Sequence, residues 1–454
     1  MKAQRIAMGI LGALVCTLGD EARAASSLAD QLNFLYGERG ITLTEQAVPP
    51  SDPDVDPAVE PTTLHTAHFT SDSLATLGLL VQTLAPATAD FPAISTVPGL
   101  SYRYNPDLQA FERSSGSLGP VYVERPQTLG RGKLDIGIAY LYINFDELDG
   151  NDLDGLAFRG LEHNDCCRPG NPPPSSGDPT FETDTADLFF DQFDIESHVV
   201  SLFATYGITD DWDVNILLPI IHTSLEVDAR AVLNDESGLG THSFEDVGPD
   251  GVRVTEEPRS IDDSKTGVGD LQLRTKYHLF SRDGFNLASG LNLRLPTGDE
   301  DDFQGLGDTT LTPFFSVSQE YGRFDFHLAA GVEINADDTE RSRARYAAGV
   351  TAGIIEPLAF LVDVIGHSNV TDHELSVTVP TFVNAPGTSE ATPSTLPGTK
   401  TETGELRTDV VDLALGFKAA FPHSLVGFAG VFVPLNDDGL RADVIPTANI
   451  EVSF

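Results

Sequence analysis

The sequence predicts an all-β protein, a transmembrane up-and-down antiparallel β-barrel of about 12 strands with a partly helical or irregular N-terminal extension. Three observations lead to this fold class. Many segments of about 10 to 12 residues alternate in polarity with period 2, which is typical of strands with two different faces. Short and long connections alternate between these segments. No apolar run of about 20 residues follows the N-terminus, although a membrane helix would need one.

Residues 1–24 resemble a secretory signal peptide. Lys2 and Arg5 supply a positive start, a short apolar stretch follows, and Ala22-Arg23-Ala24 has the small-x-small pattern that signal peptidase cleaves. The stretch is too short to favour an uncleaved membrane anchor. Lipidation at Cys16 is rejected because Val15 precedes it, where a small residue is required. We therefore expect an exported protein.

Residues 25–130 form the N-terminal extension and differ in texture from the rest of the chain. Ser73–Ala85 predicts one short helix, and residues 48–61 form a spacer rich in Pro and Asp. A barrel of about 12 strands lies between the eight-stranded kind that side chains can fill and the sixteen-stranded open porins. The lumen should therefore be narrow, and we expect part of residues 25–130 to pack inside or beneath the barrel as a plug.

The barrel itself is predicted over residues 131–454. Its clearest strand is Asp270–Phe280, in which Leu271 and Leu273 fall on one face and Gln272 and Arg274 on the other. A soluble sandwich also alternates, so one strand does not distinguish the two folds. The predicted strands are 134–145, 195–206, 212–223, 268–279, 285–295, 308–319, 324–334, 344–354, 358–368, 410–420, 424–434 and 443–454.

The order of the connections distinguishes a barrel from a sandwich. The short connections are 207–211, 281–284, 321–323, 355–357 and 421–423. The long ones are 146–194, 224–267, 296–307, 335–343, 369–409 and 435–442. Periplasmic turns on one rim and longer extracellular loops on the other produce this order, whereas a Greek-key sandwich does not require it. The even strand count also brings both ends of the barrel to the periplasmic side.

Polar side chains on the inner strand faces are the candidate lumen-lining residues. They are Asp270, Gln272, Arg274, Lys276, His278, Asn292, Arg294, Asp325, His327, Glu333, Arg343, Arg345 and Lys418. Two interpretations remain open for them. The first is structural: either the interior is wet, or opposite charges pair and hold the barrel shape. The second is a specific ligand site. We favour the first.

The chain is strongly acidic, with 69 Asp and Glu against 27 Lys and Arg and a net charge of −42. This excludes a nucleic-acid partner, which would need a basic face. Much of the acid falls in the long connections, and the weak calcium candidates are Asp299, Glu300, Asp301 and Asp302. The alternative is a solvated surface without bound metal. We expect no other cofactor.

Cys166 and Cys167 are the only cysteines after the signal peptide. Adjacent cysteines bridge only through a strained ring, so a disulfide between the two is uncommon. The alternatives to it are an intermolecular disulfide or two free thiols. A metal site is disfavoured because His163 is the only other soft ligand nearby. No function is assigned to the pair.

The common catalytic motifs are absent from the sequence. The sequence contains no G-x-S-x-G elbow, no H-E-x-x-H, no phosphate-binding G-x-x-x-x-G-K and no C-x-x-C. The histidines on the predicted strands show no spacing that singles one out. We therefore expect a protein that is not an enzyme.

Four stretches resemble an outer-membrane family named for the putative MetA pathway of phenol degradation, whose members are described as transporters. They are GPVYVERPQTLGRGKLDIG (119–137), GVGDLQLRTKYHLF (267–280), LNLRLPTGDEDDFQGLGDTTLTPFFSVSQEYGRF (291–324) and PLNDDGLRADVIPTANIEVSF (434–454). The resemblance spans most of the chain from about residue 97. We interpret these motifs as signatures of barrel rims and turns. They therefore indicate the fold and location of the protein more firmly than its substrate.

The resemblance implies a monomeric channel or transporter in the outer membrane of a Gram-negative bacterium, for small molecules of hydrophobic or aromatic character. The alternative is a barrel that does not transport and acts in adhesion or surface structure through its acidic loops. The expected partners are outer-membrane lipid, lipopolysaccharide, and the barrel-assembly machinery through the strand that ends at Phe454.

Overall fold

The fold is that of a computed structural model, which describes residues 26–44, 46–48, 63–65, 69–92, 94–96, 102–105, 110–113, 118–163, 184–236, 242–247, 251–384, 395–406 and 408–454. The predicted signal peptide, 1–24, and the Cys166-Cys167 pair lie outside the described residues. Much of the extension before residue 118 also falls outside them.

Twelve antiparallel strands close into a barrel, which confirms the predicted fold class and strand number. They are β1 Leu134–Phe145, β2 Thr185–Gly207, β3 Trp212–Asn234, β4 Leu271–Arg282, β5 Phe285–Leu295, β6 Thr310–Tyr321, β7 Phe324–Asn335, β8 Arg343–Ile355, β9 Leu358–Asn369, β10 Asp409–Phe421, β11 Leu425–Pro434 and β12 Ile445–Ser453. Each strand pairs with its neighbours in sequence, and β12 pairs with β1. At the closure the Phe454 amide donates to the carbonyl oxygen of Leu134 over 2.8 Å.

The short and long connections alternate as predicted. Between β4 and β5 only Asp283 and Gly284 intervene, and between β6 and β7 only Gly322 and Arg323. The connections at the opposite rim are longer, and several of them contain further strands. The rim with the short turns also holds both barrel ends, which is the arrangement of outer-membrane barrels.

Apolar side chains cover the outside of the barrel. Ile138 on β1, Ile216 on β3 and Leu328 on β7 are between 42 and 52% exposed, although they are large hydrophobic residues. A contiguous apolar belt of this kind faces lipid. Exposed aromatic side chains at the short-turn rim add the expected interfacial girdle; they are Tyr206, Trp212, Tyr277, Phe280, Tyr321, Phe324 and Phe421. The barrel therefore crosses the bilayer with its strands.

The strands β2 and β3 are each 23 residues long, about twice the predicted length. Here the prediction was wrong, because it assigned 146–194 and 224–267 to connections. The alternation of more and less buried residues continues along β2 beyond the membrane. Leu188 and Phe190 are fully buried there, and acidic residues flank them in the sequence. A further strand on each side, Ala157–Glu162 and Glu256–Val268, widens this part of the sheet into a wall that stands above the long-loop rim.

Among the described strands, the outer strand of this wall, Glu256–Val268, pairs with β3 alone. It carries charged residues and Pro258, which discourage pairing with another chain. Along β3 the partner strand changes at Pro219. β3 pairs with β4 up to Leu217 and with the outer strand from Ile220. Because proline has no amide to donate, it is compatible with this change of partner.

The other elements lie at the long-loop rim or before the barrel. The strands are His373–Asn384 with Thr395–Leu406, the three short strands Glu147–Leu148, Asn151–Asp152 and Leu440–Arg441, and the hairpin strands Gln46–Val48 with Thr63–His65 and Tyr102–Asn105 with Ala110–Arg113. A 3-10 turn covers Thr339–Arg341.

Two helices precede the barrel, α1 Leu28–Asn33 and α2 Thr70–Thr88. The predicted helix over 73–85 lies within α2, whereas α1 was not predicted. Within the part of the chain that the structure describes, no helix combines the length and apolar character needed to cross a membrane. Leu77, Leu80 and Leu84 of α2 are buried in the main core, which also contains Phe190 and Phe193 of the wall. The helix is thus held at the long-loop mouth by the protruding wall.

The hairpin His373–Asn384 and Thr395–Leu406 packs against the other side of α2. Leu74 and Ala75 form a small buried cluster with Val379, and Gln82 Nε2 donates to the carbonyl oxygen of Ser376 over 3.0 Å. The mouth is therefore covered by α2 and this hairpin together.

At the opposite rim the chain before β1 contacts the end of β2 closely. A Cβ atom added to Gly207 would lie 1.9 Å from the carbonyl oxygen of Gly130. We expect Gly207→Ala to destabilise the barrel by about 1–3 kcal/mol, because the overpacked backbones must separate. The measurement is the fraction of protein that shows heat-modifiable migration on a gel. Gly353→Ala is the control, since its nearest atom would be 3.6 Å away; equal losses in both variants would contradict the prediction.

Candidate functional site

The candidate site is the barrel lumen, and the structure places the predicted lumen-lining residues on its inner surface. Most of the set is less than a tenth exposed: Asp270, Gln272, Arg274, Lys276, His278, Arg294, Asp325, His327, Glu333 and Lys418. The remaining members, Asn292, Arg343 and Arg345, share this face, since Asn292 donates to Gln272 and the two arginines contact Asp90. Strand alternation alone brings these residues to one side.

A stretch of the N-terminal extension lies against this inner surface. We call residues 89–92, 94–96 and 118–130 the lumen segment. It begins after α2 at the long-loop mouth and ends at the short-turn rim. There Thr128 Oγ1 donates to the carbonyl oxygen of Asp210 over 2.6 Å, and the Leu129 amide donates to Asp213 Oδ2 over 2.8 Å. The segment therefore follows the lumen from one rim to the other.

Asp90 is the most heavily contacted charge on the lumen segment. Its carboxylate lies 2.5 Å from Arg343 Nη1, 2.7 Å from Arg345 Nη2, 3.6 Å from His367 Nδ1 and 3.9 Å from Arg294 Nη1. Only 6% of the Asp90 side chain is exposed. Three strands, β5, β8 and β9, thus direct basic groups at one carboxylate.

Glu124 provides a second ionic contact nearer the short-turn rim. Lys276 Nζ donates to Glu124 Oε1 over 2.8 Å and to the carbonyl oxygen of Arg125 over 2.7 Å. The Thr96 amide and hydroxyl also donate to Glu124. The Lys276 side chain is completely buried, so its charge is compensated inside the protein.

Lys418 on β10 binds the backbone of the lumen segment. Its ammonium group donates to the carbonyl oxygens of Leu118, Gly119 and Pro120 over 2.8 to 3.3 Å. Further along, Gln127 Nε2 donates to Ser318 Oγ over 3.0 Å. The segment is therefore attached to widely separated strands, which positions it across the lumen.

The lumen also has an apolar side, which the sequence analysis missed. The inward residues Leu141 and Ile143 of β1, Leu217 of β3 and Leu361 of β9 are buried with Phe91 of the lumen segment in the main core. Apolar residues occur on both faces of β1 and β3. This was the signal in the sequence that could have indicated the apolar side of the lumen. A barrel strand whose two faces are both apolar indicates a lumen that is packed rather than wet.

Two adjoining cavities remain between the lumen segment and the barrel strands. The larger one, of about 210 Å³, is lined by both apolar and charged groups, including Phe91, Ile94, Phe314, Arg345 and His367. The smaller one, of about 80 Å³, lies towards the mouth and contacts α2 and Phe145. Asp90, Phe91 and His367 border both cavities, so the ionic cluster around Asp90 stands where the two spaces meet.

Sequence reasoning also missed His367 of β9 and the residues of the lumen segment. Glu124 and Tyr122 lie within the stretch 119–137 that carries the family resemblance. The interpretation of that stretch as a rim and turn signature was wrong for its first half, because it contacts Lys276, Lys418 and Ser318 inside the barrel. Asp90 had no motif around it.

The acidic loop 299–302 supports helix α1. Asp302 Oδ1 accepts from the Leu28 amide over 3.1 Å, and the carbonyl oxygen of Asp301 accepts from the Ala29 amide over 2.8 Å. A negative group at a helix start is favourable because the first amides have no partner within the helix. Burial, followed by neighbouring carboxylates, raises the pKa of Glu300 and of Asp301.

Calcium binding at this loop stays a prediction. Within the described ranges there is no group of three or more His, Cys, Asp or Glu arranged to hold a metal ion. Asp299 accepts from the Asp301 amide over 3.1 Å, which leaves part of the acidic cluster committed to the loop itself.

Comparison with known proteins supports the family resemblance. Residues 184–378 match the family described as the putative MetA-pathway of phenol degradation. The match contains the stretches 267–280 and 291–324 on which the resemblance was based, and confirms it. No curated protein sequence matches the chain significantly.

Several solved structures resemble the chain at low sequence identity. An outer-membrane channel from Pseudomonas putida F1 is 11% identical with a TM-score of 0.41, covering 72% of this chain and 97% of that one. The CymD monoaromatic hydrocarbon channel is 11% identical with a TM-score of 0.31, covering 72% and 91%. A FadL homologue of Pseudomonas aeruginosa is 10% identical with a TM-score of 0.28, covering 71% and 88%.

Proposed function

We propose that this outer-membrane β-barrel, with its match to the phenol-degradation family, is a passive channel for small molecules. The observation that carries the proposal is the pair of adjoining cavities between the lumen segment and the barrel strands. They lead from the covered mouth towards the middle of the lumen. A barrel with only a structural role would not need unfilled space there, because protein interiors are otherwise closely packed.

The chemistry of the larger cavity favours compact solutes that have an apolar body and a polar group. Phe91, Ile94, Phe314 and Ile365 supply apolar surface, and Asn292 supplies a neighbouring polar group. Binding sites for small molecules commonly combine a mainly apolar lining with a few polar groups that orient the ligand. The family resemblance points to the same class, since phenol has this character.

The test is conductance of the purified protein in planar bilayers, together with swelling of proteoliposomes in small and large sugars. We expect discrete small conductance steps in KCl, faster entry of arabinose than in protein-free liposomes, and no entry of a trisaccharide. Absence of both conductance and arabinose entry from a heat-modifiable, correctly folded sample would contradict the proposal. That outcome would instead favour the non-transporting barrel that acts through its acidic loops.

A further inference from the structure

We infer that the lumen contains a binding site for a small aromatic carboxylate, and that the Asp90 carboxylate occupies its anion-binding part in this structure. The inference rests on the proposed channel function and names the substrate class. It is based on the arrangement of Arg294, Arg343, Arg345 and His367 around one carboxylate of the lumen segment.

The geometry is that of a carboxylate receptor. Arg343 and Arg345 donate to different oxygens of Asp90, Oδ2 and Oδ1, over 2.5 and 2.7 Å. Guanidinium groups recognise carboxylates through such paired, charge-assisted hydrogen bonds. Both arginines lie on β8. Asp90 lies on the lumen segment, which precedes the barrel in the sequence. The barrel therefore supplies the receptor, and the lumen segment supplies the group bound to it.

The cationic groups differ in how far carboxylates on the barrel strands compensate their charge. Arg294 also contacts Asp270 over 2.9 Å, and Arg345 also contacts Glu333 over 2.7 Å. For Arg343, the ionic contact within the described residues is Asp90. If Asp90 withdraws, Arg343 loses that contact inside the lumen. A carboxylate that enters at that moment restores the charge balance, so the exchange leaves no buried cation uncompensated.

The adjoining space accommodates the rest of such a molecule. The cavity of about 210 Å³ begins at Asp90, Arg345 and His367 and continues between Phe91, Ile94 and Phe314. An apolar cavity of about 150 Å³ is sufficient to bind benzene in a protein. A single aromatic ring therefore fits beside the ionic cluster, with its carboxylate directed at Arg345.

The acidic exterior does not oppose this inference. Charges on the long loops are screened beyond about 8 Å at physiological ionic strength, whereas the arginines act on a ligand already inside the lumen. The exterior therefore influences the rate of entry, and the lumen determines which anion is bound.

The test compares benzoate with two analogues of the same shape, neutral benzamide and cationic benzylammonium. Permeability of benzoate relative to sodium, and of benzylammonium relative to chloride, is obtained from reversal potentials in planar bilayers. Binding of benzoate and benzamide to the detergent-solubilised full chain is measured by calorimetry. We expect the wild-type protein to favour benzoate in both measurements.

Variants should shift the preference in opposite directions. Asp90→Asn removes the competing charge while keeping the side-chain shape, and should raise benzoate affinity and permeability severalfold. Arg343→Gln with Arg345→Gln should abolish the preference over benzamide. Arg341→Gln removes an arginine that pairs with Asp308 in an outer loop and should change neither. A folding defect cannot explain a gain in one variant and a loss in the other.

The outcomes separate this inference from the proposed function. Conductance in KCl without a preference for benzoate over benzamide and benzylammonium, in permeability or binding, would overturn the carboxylate site. It would leave the proposed channel function intact. An unchanged benzoate preference in the double arginine variant would also overturn it. Absence of conductance altogether would contradict the channel, while calorimetry would still report whether benzoate binds.

Discussion

Deletion of residues 26–129 is expected to raise the single-channel conductance severalfold. The deletion removes α2 from the mouth and the lumen segment from the inner wall, together with the Asp90 and Glu124 carboxylates. Water then hydrates the polar side chains that these groups now cover. A barrel of twelve strands is wider than an eight-stranded barrel, in which side chains fill the interior. An open aqueous path should therefore result.

Two controls accompany this measurement. A shorter deletion, 26–117, keeps the contacts of residues 118–130 with Lys418 and Lys276 and should give an intermediate conductance. Heat-modifiable migration establishes that each shortened barrel has folded. If both folded variants conducted like the wild-type protein, the lumen segment would not restrict passage.

Lys276→Met is expected to lower the free energy of unfolding by about 3–5 kcal/mol, because it removes one partner of a buried ion pair. Glu124 would keep its charge while losing the ammonium group 2.8 Å away. Unfolding in urea from lipid vesicles can be followed by the fluorescence of Trp212, the single tryptophan of the chain. This residue is 40% exposed on the outer face, where it reports membrane insertion.

Lys265→Met is the matched control, since Lys265 pairs with Asp263 at 3.2 Å on the protruding outer strand. Ion pairs near the surface contribute only about 0–1 kcal/mol. The double variant Lys276→Met with Glu124→Gln should recover part of the lost stability, because the Glu124 carboxylate then no longer stays buried without the Lys276 ammonium group. Equal losses for Lys276→Met and Lys265→Met, or no recovery in the double variant, would show that the pair contributes little.

Sequence reasoning was most successful where the physical cause is local. Alternation over 285–295 and 324–334 depends only on the period of a strand, and β5 and β7 agree with these bounds within one residue. It was least successful at β2 and β3, where acidic residues on one face suggested loops. Those residues face solvent above the membrane, while Leu188 and Phe190 on the other face are buried in the core.

The sequence by itself determined the barrel, its twelve strands, the order of its connections and the face on which Arg294, Lys276 and Lys418 lie. Each of these follows from the spacing of neighbouring residues. Only the tertiary structure decided what those side chains contact. Asp90 is 253 residues from Arg343 and Glu124 is 152 residues from Lys276. Such pairs depend on how the extension passes through the closed barrel, and no local pattern encodes that path because the chain must close before the lumen exists.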